Sequence, residues 1–197
     1  GPLAQDGVAG LGKRILLVDH QDSFVHTLAN YLRQTGADVV TCRFGLTRAQ
    51  IQDERPDLVV LSPGPGRPSD FKLSETIDNC MALRLPIFGV CLGLQGIVEH
   101  FGGALGVLDY PMHGKPSDVR LCGSEDSDLK GRIKEAGGCL FREVPEVFTV
   151  ARYHSLYATK VPEVLTVTAS VDGQVDDTAV IMAVEHKMLP IAAVQVS

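Results

Sequence analysis

The chain contains no tryptophan, few other aromatic residues and no cluster of positive charge. Its 18 Lys and Arg face 24 Asp and Glu, for a formal net charge of -6. Nucleic-acid binding calls for a basic stripe or patch, so no nucleic-acid partner is expected. Long apolar runs are missing too. No stretch approaches the roughly 20 residues that cross a bilayer, and no membrane is expected. The opening Gly1 to Gly12 has neither a charged leader nor an apolar run, so it does not read as a secretory signal. The five cysteines, Cys42, Cys80, Cys91, Cys122 and Cys139, form no close pairs. Neither a disulfide framework nor zinc spacing is visible. No metal is expected, and a reducing cytosolic or organellar compartment fits best, with a cytoplasmic location expected.

What is present is a globular composition, 45% hydrophobic and 21% charged over 197 residues. That is enough for one domain with its own core. Residues 1–13 read as a linker or tag remnant, and 14–197 as the domain. Ile15 to Val18, closed by Asp19, predicts a buried strand. Asp22 and Ser23 offer N-caps for a helix with Phe24, Val25, Leu28, Ala29 and Leu32 at helical spacing, stopped by Gly36. Strands are expected at Val39 to Cys42, Leu58 to Leu61 and Pro86 to Val90. Helices are expected at Thr47 to Glu54, Leu73 to Leu83 and Leu92 to Phe101. Ser62 to Pro68 is a Pro/Gly loop.

Alternating strands and helices specify a parallel sheet covered on both faces. The second half differs. Val119 to Leu121, Val147 to Ala151, Val164 to Ala169, Val180 to Val184 and Ile191 to Val194 look like strands with few helices between. Antiparallel additions to the same sheet are expected, with Ser124 to Gly138 as a surface insertion. The fold class is therefore α/β, a mostly parallel central sheet with helices on both faces and antiparallel additions.

Three local patterns carry chemistry. Gly89-Val90-Cys91-Leu92-Gly93 lies between a strand and a helix, a nucleophile-elbow pattern with Cys in place of Ser. The glycines permit a tight turn, and the helix start favours a thiolate. The same pattern also fits a buried Cys on a core strand, and locally both readings stand. Ser62-Pro63-Gly64-Pro65-Gly66 could present backbone N–H groups to an oxyanion, or be only a turn. Tyr153-His154-Ser155-Leu156 could contact a substrate, or be an ordinary loop.

Taken together and in this order, the motifs resemble those of the class I (triad-type) glutamine amidotransferases. Leu17-Val18-Asp19-His20-Gln21-Asp22-Ser23-Phe24 is similar to that family's first strand and turn. His113-Gly114-Lys115 and Tyr153-His154-Ser155-Leu156 resemble motifs of its anthranilate and aminobenzoate synthase branch. Val25-His26-Thr27-Leu28-Ala29-Asn30-Tyr31 resembles the bacterial form in which synthase and glutaminase are fused.

The resemblance implies a flavodoxin-like fold and a glutaminase that supplies ammonia from L-glutamine to a chorismate-using synthase, in tryptophan biosynthesis. It makes Cys91 the nucleophile and assigns the oxyanion to the backbone at Leu92 and near Gly64. Gly64, Pro65, Gly66, Leu92, Gln95, Ser155 and Leu156 would surround the glutamine. No metal or organic cofactor is implied. The synthase domain or subunit would dock near His113 to Lys115 and the loop after Gly66.

The same resemblance implies a Gln-Phe-His-Pro-Glu run after the last strand, supplying the base and its orienting acid. Here that strand continues Gln195-Val196-Ser197. The chain as it stands is thus expected to be inactive or weakly active. None of His20, His26, His100, His113, His154 and His186 falls at the triad position, and a surface or capping role is expected for most. The alternatives are a noncatalytic glutamine-binding or partner-docking module, an aminobenzoate synthase glutaminase, and a flavodoxin-like domain or Cys hydrolase of another superfamily.

Overall fold

A computed structural model describes residues 10–107, 120–121, 156–172 and 179–195. The first hundred residues alternate β1 (Arg14–Asp19), α1 (Val25–Gln34), β2 (Asp38–Arg43), α2 (Arg48–Glu54), β3 (Leu58–Leu61), α3 (Leu73–Ala82), β4 (Ile87–Val90) and α4 (Leu92–His100). A short 3-10 turn, Pro68–Phe71, precedes α3. Then come β5 (Ala104–Val107), β6 (Arg120–Leu121), β7 (Leu156–Lys160), β8 (Leu165–Asp172), β9 (Ala179–His186) and β10 (Ile191–Val194).

Eight strands form one sheet in the order β2-β1-β3-β4-β10-β9-β8-β6. The first five neighbours run parallel, and the pairs from β10 to β6 are antiparallel. This is the expected α/β class. Strands buried on both faces read as continuous apolar runs, as β1, β3, β4 and β10 do. Their residues alternate between two cores. Ile15, Leu17, Val60 and Val90 pack with Val25, Leu28 and Leu32 of α1. Leu16, Val18, Val59 and Leu61 pack with Ile51, Ile77 and Ile97 on the other face.

Three local expectations are corrected. Neither Asp22 nor Ser23 caps α1, whose N-cap position is Phe24 with no side-chain cap. The Asp22 carboxylate instead accepts the Phe24 N–H at 2.7 Å, closing an Asx turn one step earlier. The expected additions β6, β8 and β9 do join the main sheet antiparallel, but Ile191 to Val194, grouped with them, lies parallel to β4, and the unexpected strands β5 and β7 pair as a separate two-stranded sheet. Leu156, expected in a polar turn, opens strand β7. The anticipated strand at Val147 to Ala151 and the insertion at Ser124 to Gly138 lie outside the described residues.

Candidate active site

Because β1, β3, β4 and β10 are parallel neighbours, their carboxyl ends meet at one edge of the sheet. Open α/β sheets bind ligands outside this edge. Cys91 stands there, between β4 and α4, with φ 56 and ψ -99. A non-glycine residue held at positive φ is strained, at a cost of about 1–3 kcal/mol, and persists where its surroundings over-determine it. Here they do. The Cys91 N–H donates to the Val194 carbonyl of β10 at 2.8 Å. A Cβ on Gly89 would lie 2.6 Å from the Gly93 backbone, and one on Gly93 would lie 2.7 Å from the Leu61 carbonyl. Both glycines are thus required by close approach, and the helix start is pressed against β3 and β4. The elbow reading accounts for this better than a plain core strand, although the thiol is itself buried.

In any α-helix the first N–H groups have no partner within the helix and carry partial positive charge. In α4 these begin at Leu92. The loop after β3 lies opposite. Ser62 and Pro63 are buried, Gly64 is half-buried, and Pro65 and Gly66 are exposed. A Cβ on Gly64 would meet the His20 Cβ at 2.7 Å, the Leu92 Cδ2 at 2.7 Å and the His20 carbonyl at 2.8 Å. Gly64 is therefore wedged between the end of β1 and the start of α4. That brings together the Cys91, Gly64 and Leu92 positions expected from the sequence.

Gln95, one turn into α4, is buried. Its amide nitrogen donates to the Leu156 carbonyl at 3.3 Å and to the Gln195 Oε1 at 3.4 Å. The side chain expected to grip a ligand thus ties α4 to β7 and to the end of β10. Leu156 meets Gln95 through its backbone carbonyl, so the two positions expected around the glutamine are bonded to each other. Ser155, His113 to Lys115 and Tyr153 to His154 lie outside the described residues.

Two buried polar residues at this edge were not singled out by sequence reasoning. Gln195, directly after β10, is one. The other is His20, fully buried rather than on the surface or at a helix cap. It lies immediately after β1, and only the pairing of β1 with β3 brings it to the site, so no local signal marked it. Its Nδ1 lies 3.0 Å from the Ser62 carbonyl and 3.1 Å from the Ser62 Oγ, and its N–H donates to that Oγ at 3.0 Å. Burial lowers its pKa to about 4, against the opposing effects of the Ser62 carbonyl and Asp19.

The other described histidines stand elsewhere. His26 is exposed on α1. His100 ends α4, about 13 Å along the helix from its start, and contacts Ser74 and Asp78. His186 ends β9, at the opposite edge of the sheet, where its Nδ1 accepts the Met188 and Leu189 N–H groups. Among the other described thiols, burial pushes Cys80 up to about 12. Cys42 is raised by burial and by Glu54. Both are poor nucleophiles, since the thiolate is the reactive form. No cluster of potential metal ligands occurs among the described residues, and no described helix is long and apolar enough to cross a membrane.

Residues 16–196 match the family model of the class-I glutamine amidotransferases. The chain is 57% identical, over 94% of its length, to an anthranilate synthase of Azospirillum brasilense, of which it spans 23%. It is 37% identical, over 93% of its length, to anthranilate synthase component 2 of Methanocaldococcus jannaschii, spanning 83% of that protein. The crystal structure of a Thermoplasma acidophilum protein, provisionally assigned to GMP synthase, superposes with a TM-score of 0.70. The match covers 93% of this chain and 83% of that one at 24% identity, and it bears on the fold alone.

Proposed function

This chain belongs to the class-I glutamine amidotransferase family, and we propose that, as part of the full-length protein, it releases ammonia from L-glutamine at Cys91 for a chorismate-using synthase, as the glutaminase part of an anthranilate synthase. The observation that carries this reading is the strained Cys91 elbow, facing Gly64 across the start of α4. The identity to anthranilate synthases favours that branch and its acceptor. The chain spans about a quarter of the Azospirillum relative, so the synthase belongs to a further domain or subunit.

The chemistry follows from the placement. The Cys91 sulfur bonds to the side-chain amide carbon of glutamine. The carbonyl oxygen takes the negative charge and is held by the Leu92 N–H and a backbone N–H near Gly64. The carbon–nitrogen bond then breaks, and the nitrogen leaves as ammonia after gaining a proton. Water attacks the thioester, giving glutamate and the restored thiol. Gly64, Pro65, Gly66, Gln95 and the backbone at Ser155 and Leu156 surround the glutamine. In the resembling family a His and a Glu follow the strand that corresponds to β10. Since β10 pairs with β4, a base in that place would stand beside the thiol.

Ammonia release, measured on the full-length protein with its synthase present, tests this. Cys91→Ser is expected to lower it by about 10⁴-fold or more. Release unchanged in that variant would refute Cys91 as the nucleophile. Lys115→Glu is expected to weaken co-purification with the synthase, and unchanged co-purification would remove that face from the docking surface.

A further inference from the structure

We infer that His20 is a positioning residue for the oxyanion site, holding the Ser62–Gly64 segment at the right distance from the start of α4; this rests on the glutaminase reading above. Three observations converge. The first is the double tie between the two strand ends. The Ser62 Oγ donates to the Pro63 carbonyl at 2.9 Å, so it is free to accept the His20 N–H. The Ser62 carbonyl can only accept, so the proton of the ring sits on Nδ1 and points at it. Both atoms through which Ser62 could turn are thereby fixed by one residue.

The second observation is the wedge. Gly64 touches His20 on one side and Leu92 on the other so closely that no side chain fits. The place of its backbone, and of the N–H groups beside it, is set by where His20 stands. The third is the ring's own seat. It stacks on Phe44 with centroids 6.4 Å apart and meets Phe71 edge-on at 5.4 Å. Among the described residues its buried Nε2 has no hydrogen-bond partner. An unpartnered buried nitrogen is a standing cost. A residue kept only for packing would be better apolar, so the ring's contribution lies at Nδ1. Burial also keeps the ring neutral at physiological pH, which leaves Nδ1 with its single proton.

The chemistry distinguishes this from mere support. Acylation by glutamine builds an oxyanion, whereas alkylation by iodoacetamide displaces iodide and builds none. His20→Phe keeps the ring and loses Nδ1. His20→Asn loses the ring and keeps a donor close to Nδ1. With the full-length protein and its synthase, His20→Phe is expected to lower kcat by about 10² and shift KM less than threefold. Iodoacetamide should still modify Cys91 at the wild-type rate. His20→Asn should recover kcat to within about tenfold of wild type, because the donor returns. Ser62→Ala, which leaves the ring untouched, should reproduce part of the kcat loss should His20→Phe fail to fold.

The inference is overturned if His20→Phe and Ser62→Ala both keep wild-type kcat. It is also overturned if His20→Asn is as impaired as His20→Phe, or if iodoacetamide reactivity falls in step with kcat. A wild-type protein that releases no ammonia would overturn the glutaminase reading, and the inference with it. An active wild type with an unaffected His20→Phe would overturn the inference alone.

Discussion

The two edges of the central sheet are built from similar residues and put to different uses. His20 and His186 both have pKa values lowered by burial. At the amino edge, His186 accepts two N–H groups from the next three residues and so secures its own turn. At the carboxyl edge, His20 joins the ends of two separate strands. Glycines divide in the same way. Gly12, before β1, has positive φ and open space around it, whereas Gly64 and Gly93 are hemmed in by other elements. Met188, in the turn before β10, is 84% exposed, while Gln195, directly after β10, is 2% exposed. Turns close the amino edge, while the carboxyl edge is locked by contacts between distant segments. The backbone strain at Cys91, at φ 56 and ψ -99, is held in place by contacts of the second kind.

Acid titration should separate the edges most strongly. A histidine has a pKa of about 6.5 when unfolded, and His20 has one of about 4 when folded. Above the first value both states are neutral and the group adds no pH dependence. As pH falls towards the second, the unfolded chain takes up a proton that the native state refuses, so stability drops. The loss attributable to His20 is capped at about 3 kcal/mol. Urea unfolding from pH 7 to pH 4 should show it in the wild type and not in His20→Asn. Equal slopes would mean that His20 is not the group responsible.

Next in size is Gly93→Ala. Helix propensity alone favours Ala by about 1 kcal/mol. The new methyl, however, meets a carbonyl of β3, and such overpacking costs about 1–3 kcal/mol. Net destabilisation is expected, together with loss of Cys91 reactivity. Gly12→Ala should cost about 1 kcal/mol, from backbone strain alone, and leave that reactivity intact. Urea midpoints and alkylation rates of the two variants would break the contrast if they matched.

The smallest effect is expected at His186. Its Ala variant should lose less than about 1 kcal/mol in the same unfolding assay and keep Cys91 reactivity. A large loss of reactivity there would mean that the two edges are coupled.

The parallel half was the more legible in the sequence because its signals are local. Leu58 to Leu61 and Ile191 to Val194 are unbroken apolar runs, and β3 and β10 have those bounds. Gly36 and Gly102 mark helix ends and have positive φ in the structure. β5 and β7 escaped notice because Ala104 to Val107 and Leu156 to Lys160 have no clear alternation. They are strands through pairing with each other, across a separation no local pattern records. The same holds at the site. The glycines around Cys91 announce a tight turn, since that geometry is made within five residues. His20 and Gln195 acquire their places only when β1 meets β3 and β10 meets β4. A lone histidine after a strand carries no mark of that. Gln95 was legible as important, but its bonds to Leu156 and Gln195 were not.

The most direct test of the account is selective labelling of Cys91 by a glutamine analogue carrying an electrophilic diazo ketone. The full-length protein would be treated briefly with limiting reagent, with and without excess L-glutamine, and the adducts mapped by mass spectrometry. The predicted result is one adduct, at Cys91, suppressed by glutamine, with Cys42 and Cys80 unmodified. First modification at Cys42, Cys80, Cys122 or Cys139, or labelling of Cys91 that glutamine does not suppress, would contradict it.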